Sequence, residues 1–313
     1  MHVHSVNGQQ MDNILIAGGT GLVGKALAAA LYRSDNAVSY LTRSRKAAQN
    51  PAYHYWDPSE GILPREVLTD KDVIINLSGA GIADRRWTNR RKRILTRSRI
   101  ISTRLLVSAV NENPKKPRLF INASAIGYYG DRPDEQISES SVKGSGFLSE
   151  LCHDWENELV PLRIHHIPVA ILRFGIIFSA SGGSLPKLIK PIRFGINPVL
   201  AGGRQMVSWI HIRDAIAVII DLIGKSLEPG VFNVVAPHPM TQSGLNRILL
   251  KVHRKRAISV GLSKPLLRFL LGDLSSVLTD DQHILAGNLT KQNFSFSFPE
   301  MEPALRDLLE KEN

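Results

Sequence analysis

The chain of 313 residues contains one cysteine, Cys152. A lone cysteine excludes an internal disulfide and a metal site built from thiolates alone, and it fits a reducing, cytoplasmic setting. No run of about 18 apolar residues occurs, so no membrane-spanning helix is expected. The first ten residues, MHVHSVNGQQ, lack the apolar stretch of a secretory leader and read as an extension without stable structure. No His, Cys, Asp or Glu spacing suggests a metal, and no nucleophile elbow is present. Acid is scarce: 39 Lys and Arg face 28 Asp and Glu, for a formal net charge of +11. The segment 85–104 carries nine basic residues and no acidic one. Such clusters can mark nucleic acid, but no recognition motif or interleaved aromatics accompany this one. It reads as a solvated helix face with a share in holding an anionic cofactor, and nucleic acid is not the expected partner.

What is present is an ordinary globular composition, 43% hydrophobic and 21% charged, over a length that suggests about two folding units. Short apolar runs at 13–17, 37–41, 73–77, 119–123 and 169–172 alternate with helical patterns at 25–32, 94–110 and 147–159. Strands that read as continuous apolar runs are buried on both faces, as in a parallel sheet covered by helices. The predicted fold class is therefore α/β: a doubly wound Rossmann-type sheet over 11–177, receiving part of 205–235, and a smaller α/β domain over most of 178–313. Glycines and prolines crowd 181–204. Helices are expected near 214–222, 242–252 and 262–271, and a strand at 231–235.

The segment AGGTGLVG places Gly18, Gly21 and Gly24 between the first strand and the first helix. One glycine lets the strand turn, one lets backbone approach a pyrophosphate at the helix N-terminus, and one lets helix and strand pack closely. This context points to dinucleotide binding; the alternative is a purely structural turn. At the end of the second strand, an acid would hold the adenosine ribose hydroxyls. The chain has Thr42-Arg43-Ser44-Arg45-Lys46 instead, so NADP(H) is favoured over NAD(H), with Arg43 facing the 2′-phosphate.

These motifs resemble the atypical extended short-chain dehydrogenases/reductases of the NAD-dependent epimerase/dehydratase type. The matching pieces include GGTGLVG at 18–24, INLSG at 75–79, SRIISTR at 98–104, SAIGYYGD at 124–131 and SWIHIRD at 208–214. LLRFLLGDL at 266–274 and FSFPEMEPALRDLL at 296–309 resemble the family's C-terminal small domain, expected here over 262–309. The resemblance implies cofactor contacts from Gly18, Thr20, Gly21, Leu22 and Val23 at the phosphates. It adds Thr42 and Arg43 at the 2′-phosphate, Leu77 and Ser78 along the adenosine side, and Arg99 and Ile177. Packing is the alternative for Leu77 and Ile177, and a surface charge for Arg99.

Ordinary extended members pair a Ser or Thr after a strand with a Tyr-x-x-x-Lys on the next helix. Ser124 takes the serine position. The helix that follows places Leu148 where the tyrosine would stand and Cys152 where the lysine would, and no Tyr-x-x-x-Lys exists anywhere in the chain. Tyr128 or Tyr129 is the candidate substitute acid; loop packing is the alternative for both. Cys152 reads as a small buried hydrophobe. His153 and Asp154, adjacent on a helix, should point apart and remain at the surface. Trp209, His211 and Asp214 read as structural groups at the domain junction. Lys187, Arg204 and Gln205 are candidates for an anionic substrate, and Trp87 for stacking near the nicotinamide.

Two functions follow as expectations. One is an NADP(H)-dependent oxidoreductase or epimerase, with a homodimer as the candidate assembly, acting on a small anionic or nucleotide-sugar-like molecule. The other is a binder of NADP(H) that turns nothing over. A third class, polyanion binding through 85–104, predicts steeply salt-dependent retention on nucleic acid.

Overall fold

The computed structural model describes residues 11–32, 36–254 and 256–309. The extension expected over 1–10 lies outside them. At the centre stands a seven-stranded, wholly parallel sheet. Its strands are β1 (Asn13–Ala17), β2 (Ala37–Thr42), β3 (Tyr53–Tyr55), β4 (Val73–Asn76), β5 (Leu119–Ala125), β6 (Val169–Phe174) and β7 (Val231–Val234), in the order β7-β6-β5-β4-β1-β2-β3. The order reverses between β1 and β4. Ligands of doubly wound sheets bind in the crevice that this reversal opens at the carboxyl ends of the strands.

Alternation along each strand sends neighbouring side chains to opposite faces. Ile14, Ile16, Val73, Ile75, Leu119 and Ile121 pack against helices α1 (Leu22–Leu31) and α4 (Ile212–Ile223). Leu15, Ala17, Ile74, Phe120 and Ile171 pack against α2 (Asn89–Glu112) on the other face. Thr88 caps α2, its hydroxyl accepting the Arg91 amide at 3.1 Å. That cap sets the helix start five residues before its first apolar position, Ile94, so the basic run continues into the helix rather than preceding it.

After β6 the chain leaves the sheet and builds a second core before returning with β7. Phe178, Trp209, Leu245, Leu249, Met301, Leu305 and Leu308 fill it. Two strands the sequence hid lie here and at the junction. Ile258–Leu262 pairs in parallel with Ile196–Leu200, and Gln282–Ile284 pairs in parallel with Arg132–Ile137. The helix expected from 262 begins only at Lys264, after Ser263, whose hydroxyl caps it. Among the described residues no helix is long and apolar enough to cross a membrane.

Candidate functional site

The glycine loop closes on the end of β4. Gly18 has φ +86°, and a Cβ there would stand 2.6 Å from the Leu77 carbonyl carbon and oxygen. At Gly24 a Cβ would fall 2.3 Å from the Gly18 carbonyl oxygen. Gly21 donates its amide to Gly18 at 3.0 Å and caps α1 without a side chain, and no acid occupies the first turn. Thr20 is exposed at the loop tip, and Val23 packs into the first core. The helix N-terminus is thus left open to an anion, with its backbone N–H groups presented to it. Gly182 and Gly183 lie against Leu22, so the turn after Ile177 forms one wall of the same crevice. Ile177 pairs with Ile210 in a short parallel strand contact.

At the carboxyl end of β2, Thr42 is buried and its hydroxyl accepts the Ser44 amide at 3.1 Å. Arg43 is exposed beside it, and the Arg45 guanidinium lies 4.3 Å from the centre of the Tyr55 ring. Asp57, just past β3, is the carboxylate near Arg43, and sequence reading did not single it out. Hydrogen bonds from Ser59 hold its carboxyl below the usual range, with the Arg43 charge adding to the effect.

Ser78 is fixed from below by α2. Its hydroxyl reaches Ser102 at 3.0 Å and Asn76, whose amide reaches Thr103 at 2.8 Å and Asn122 at 2.7 Å. Arg99 lies over this floor: a Cβ on Gly79 would come within 3.1 Å of the guanidinium carbon, and Trp155 stacks below it at 5.2 Å. Its one hydrogen bond is to the Leu95 carbonyl at 3.2 Å, and among the described residues no carboxylate pairs with it. Burial lowers its pKa to about 10, the nearby Arg91 charge pushes the same way, and Cys152 opposes both. A buried guanidinium with no carboxylate partner favours an anion beside it.

The catalytic candidates are joined by one buried network. Ser124 donates to Glu156 on helix α3 (Phe147–Asn157) at 2.6 Å. Arg173 grips the same carboxylate with two bonds of 2.9 and 2.7 Å. Arg173 also donates to the Tyr129 hydroxyl at 2.7 Å, and that hydroxyl donates to Asn233 at 2.7 Å. Tyr129 is fully buried, and burial drives its phenol up to about 12 against the pull of Arg173. Its proton is held by Asn233 and does not face a crevice. Tyr128 is half-buried beneath Arg173, 3.6 Å from ring centre to guanidinium, and its hydroxyl has no hydrogen-bond partner among the described residues. Geometry therefore separates the two tyrosines that sequence left equivalent.

Leu148 packs on Gly127, where a Cβ would meet it at 3.0 Å, and Cys152 is buried under Ser124. Burial, and then the Glu156 charge, drive the Cys152 thiol up to about 12. His153 and Asp154 do not point apart: their side chains approach to 3.3 Å and, with Glu150, form an exposed group within 4.8 Å. Lys143 and Asn157 already engage this group, which marks it as a solvated surface cluster.

Leu148 also lines a cleft of about 670 Å³ between the Gly130–Asp131 turn and the C-terminal segment, with Trp87, Phe147, Lys264, Arg268 and Asp280 on its walls. Trp87 donates to the Ile82 carbonyl at 2.9 Å and meets Phe147 edge-on. A neighbouring cleft of about 530 Å³ is lined by Arg204 and Gln205. These volumes suit a small molecule. Gln205 is tied to the Leu200 and Leu278 carbonyls at 3.1 and 3.0 Å, and Lys187 to the Ala83 carbonyl at 2.9 Å. Of those three candidates only Arg204 stands exposed at a cleft without an ion partner. Asp214 is buried and accepts the Ser297 and Phe298 amides at 2.9 Å each, while His211 caps α4 and stacks on Phe298.

Comparison with known proteins places this geometry. The model of the NAD dependent epimerase/dehydratase family matches residues 14–235, and that of a domain of unknown function, DUF1731, matches 262–308. Epimerase family protein SSP1921 of Staphylococcus saprophyticus is 33% identical over 302 residues, covering 96% of this chain and all of the relative. The crystal structure of human epimerase family protein SDR39U1 (isoform 2) with NADPH superposes with a TM-score of 0.83 at 25% identity, over 95% of this chain and 99% of that one. A nucleoside-diphosphate sugar epimerase from Corynebacterium glutamicum gives 0.79 at 28% identity, over 96% of this chain and 58% of that one.

Proposed function

Since the chain belongs to the NAD dependent epimerase/dehydratase family, with a C-terminal DUF1731 domain, we propose that it binds NADP(H) and acts as an oxidoreductase or epimerase on a small anionic or nucleotide-sugar-like molecule. The observation that carries the cofactor reading is the crevice itself. Gly18 and Gly24 let the loop backbone pack directly on the end of β4 and on itself, and Gly21 starts α1 with no side-chain cap and no acid in its first turn, so the helix N-terminus is open to an anion. Arg43 flanks β2 with no carboxylate on that strand, and the human neighbour was crystallised with NADPH. Gly18, Thr20, Gly21, Leu22 and Val23 hold the pyrophosphate. Thr42 and Arg43 hold the 2′-phosphate, Leu77, Ser78 and Ile177 line the path between, and Arg99 neutralises the phosphates from beneath. When bound, the nicotinamide supplies or accepts hydride.

Ser124 sits at the carboxyl end of β5, where the family's serine faces the substrate oxygen. Its only proton goes to Glu156, so it offers lone pairs to a substrate hydroxyl rather than a proton to a carbonyl. Tyr128 is the tyrosine left with a free hydroxyl. A cytoplasmic setting and a homodimer complete the reading.

Titration with NADPH and NADH tests the cofactor assignment: NADPH should bind more tightly, and Arg43→Ala should erase the difference. Equal or tighter NADH binding in the wild type would overturn it. A second reading, binding without turnover, is favoured by Leu148 and Cys152 standing where Tyr and Lys would. Tight NADPH binding with no oxidation by any carbonyl compound would select it.

A further inference from the structure

The family's tyrosine gives the substrate oxygen its proton, and Leu148 cannot. The cleft that Leu148 lines also carries a carboxyl group from the C-terminal segment. Asp280 follows the short helix Ser276–Thr279 within the DUF1731 segment, and both it and Leu148 line the same cleft of about 670 Å³. The Asp280 carboxyl is half-buried, and among the described residues it has no hydrogen-bond or ion-pair partner. The acids around it are already engaged. Asp131 binds Lys264 at 3.0 Å and accepts the Asp281 amide at 2.7 Å, Asp281 accepts the Met206 amide at 2.9 Å, and Asp273 pairs with Lys92. One acid on the cleft wall is therefore left unsatisfied.

We propose that Asp280, supplied by the C-terminal domain, is the general acid and base of this enzyme and takes the place of the absent tyrosine. This rests on the oxidoreductase reading above. In the reducing direction the Asp280 O–H bond breaks as a bond forms between that proton and the substrate carbonyl oxygen. The carbonyl carbon receives hydride from a reduced nicotinamide dinucleotide, and solvent reprotonates the carboxylate. In the oxidising direction the carboxylate takes the alcohol proton as the carbinol C–H bond breaks and its hydride passes to an oxidised nicotinamide dinucleotide. The surroundings suit a group that must carry a proton near neutrality. Burial, and then the negative charge of Asp131, push the Asp280 carboxyl up to about 6, against the opposing pull of Lys264. Arg268 and the Lys92–Asp273 pair are the other charged groups on the cleft wall.

The experiment has two readouts. The first is NADPH consumption by the wild type, Asp280→Asn and Asp280→Glu, with glyoxylate, methylglyoxal and phenanthrenequinone as probes over a range of pH. Asp280→Asn should lower kcat by about 10²- to 10⁴-fold with NADPH affinity unchanged, and Asp280→Glu should recover part of it. Wild-type kcat/KM for reduction should fall as pH rises through about 6. The second is a carbon-13 NMR titration of the Asp280 carboxyl, assigned by its loss in Asp280→Asn. It should titrate near 6, and lower in Asp131→Asn. A fully active Asp280→Asn, or a carboxyl titrating in the ordinary aspartate range, overturns the proposal and leaves the reductase reading standing. A wild type that binds NADPH but consumes none with any probe overturns the reductase reading, and the acid role falls with it.

Discussion

A hydroxyl has one proton to give, and the direction in which Ser124 gives it organises the carboxyl end of the sheet. Glu156, with its charge answered by two bonds from Arg173, is the acceptor. Removing Glu156 frees that proton but leaves Arg173 buried and unpaired. Glu156→Gln is therefore the instructive change: it should cost about 3 kcal/mol by chemical denaturation, because a buried charge loses its partner. Cys152 occupies the lysine position without the chemistry of a nucleophile. A thiol driven up to about 12 and shielded from water carries almost no thiolate near neutral pH. Iodoacetamide should leave it unmodified in the folded protein and alkylate it in guanidinium; rapid native labelling would show that the pocket around it opens. Asp280 leaves a signature on stability as well. Its folded pKa, about 6, lies above the reference value of 3.8, so the folded state binds the proton more tightly. Stability should decline as pH rises from about 4 to about 6 and level off above, and Asp280→Asn should remove that component. Sequence showed the residue types at 124, 148 and 152. It could not show which tyrosine is buried, since Tyr128 and Tyr129 share a turn and differ only in what lies behind them. Nor could it show Glu156 meeting Arg173, or Asp280 and Leu148 lining one cleft, because those pairs join elements distant along the chain.

Among elements, the strand–loop–helix unit at 13–31 was the most legible, because its glycines are dictated by contacts with backbone, which does not vary with side chain. Gly24→Ala would place a methyl 2.3 Å from the Gly18 carbonyl oxygen, so α1 must shift away from β1. NADPH affinity should fall by at least about tenfold, a difference of 1.4 kcal/mol, as measured by calorimetry. The less legible elements have short or exposed strands. β3 is three half-buried residues at the sheet edge, and Ile258–Leu262 exposes most of its apolar side chains, so neither shows the pattern of a buried strand. The start of α2 is hidden for a related reason: Asn89 is followed by Arg and Lys, good helix formers that give no apolar period. Within that basic stretch Arg91, Lys92 and Arg104 pair with Asp84, Asp273 and Glu158, which leaves a smaller free charge than composition suggests.

The molecule as a whole is tied together by residues 284–309. Ile284, Leu289 and Phe294 enter the first core, Met301, Leu305 and Leu308 fill the second, and Asp214 in α4 holds two amides of the segment between. Burial, opposed by those amides, raises the Asp214 carboxyl, so its charge is tolerated only while the segment stays docked. Asp214→Ala should lower stability by about 3 kcal/mol, since two charge-assisted hydrogen bonds are lost together. Deleting residues 262–309 should give an aggregating chain rather than a smaller folded protein, which solubility and dye binding to exposed apolar surface would report. The return of the chain from the second core to the sheet has a further consequence during synthesis. β6 ends at Phe174, and its outer neighbour β7 begins only at Val231. On the ribosome, the edge of β6 must wait with unpaired amides and carbonyls while the intervening segment is translated. That waiting edge is where a nascent chain of this design is most open to pairing with the wrong strand, and where a chaperone that shields strand edges would act.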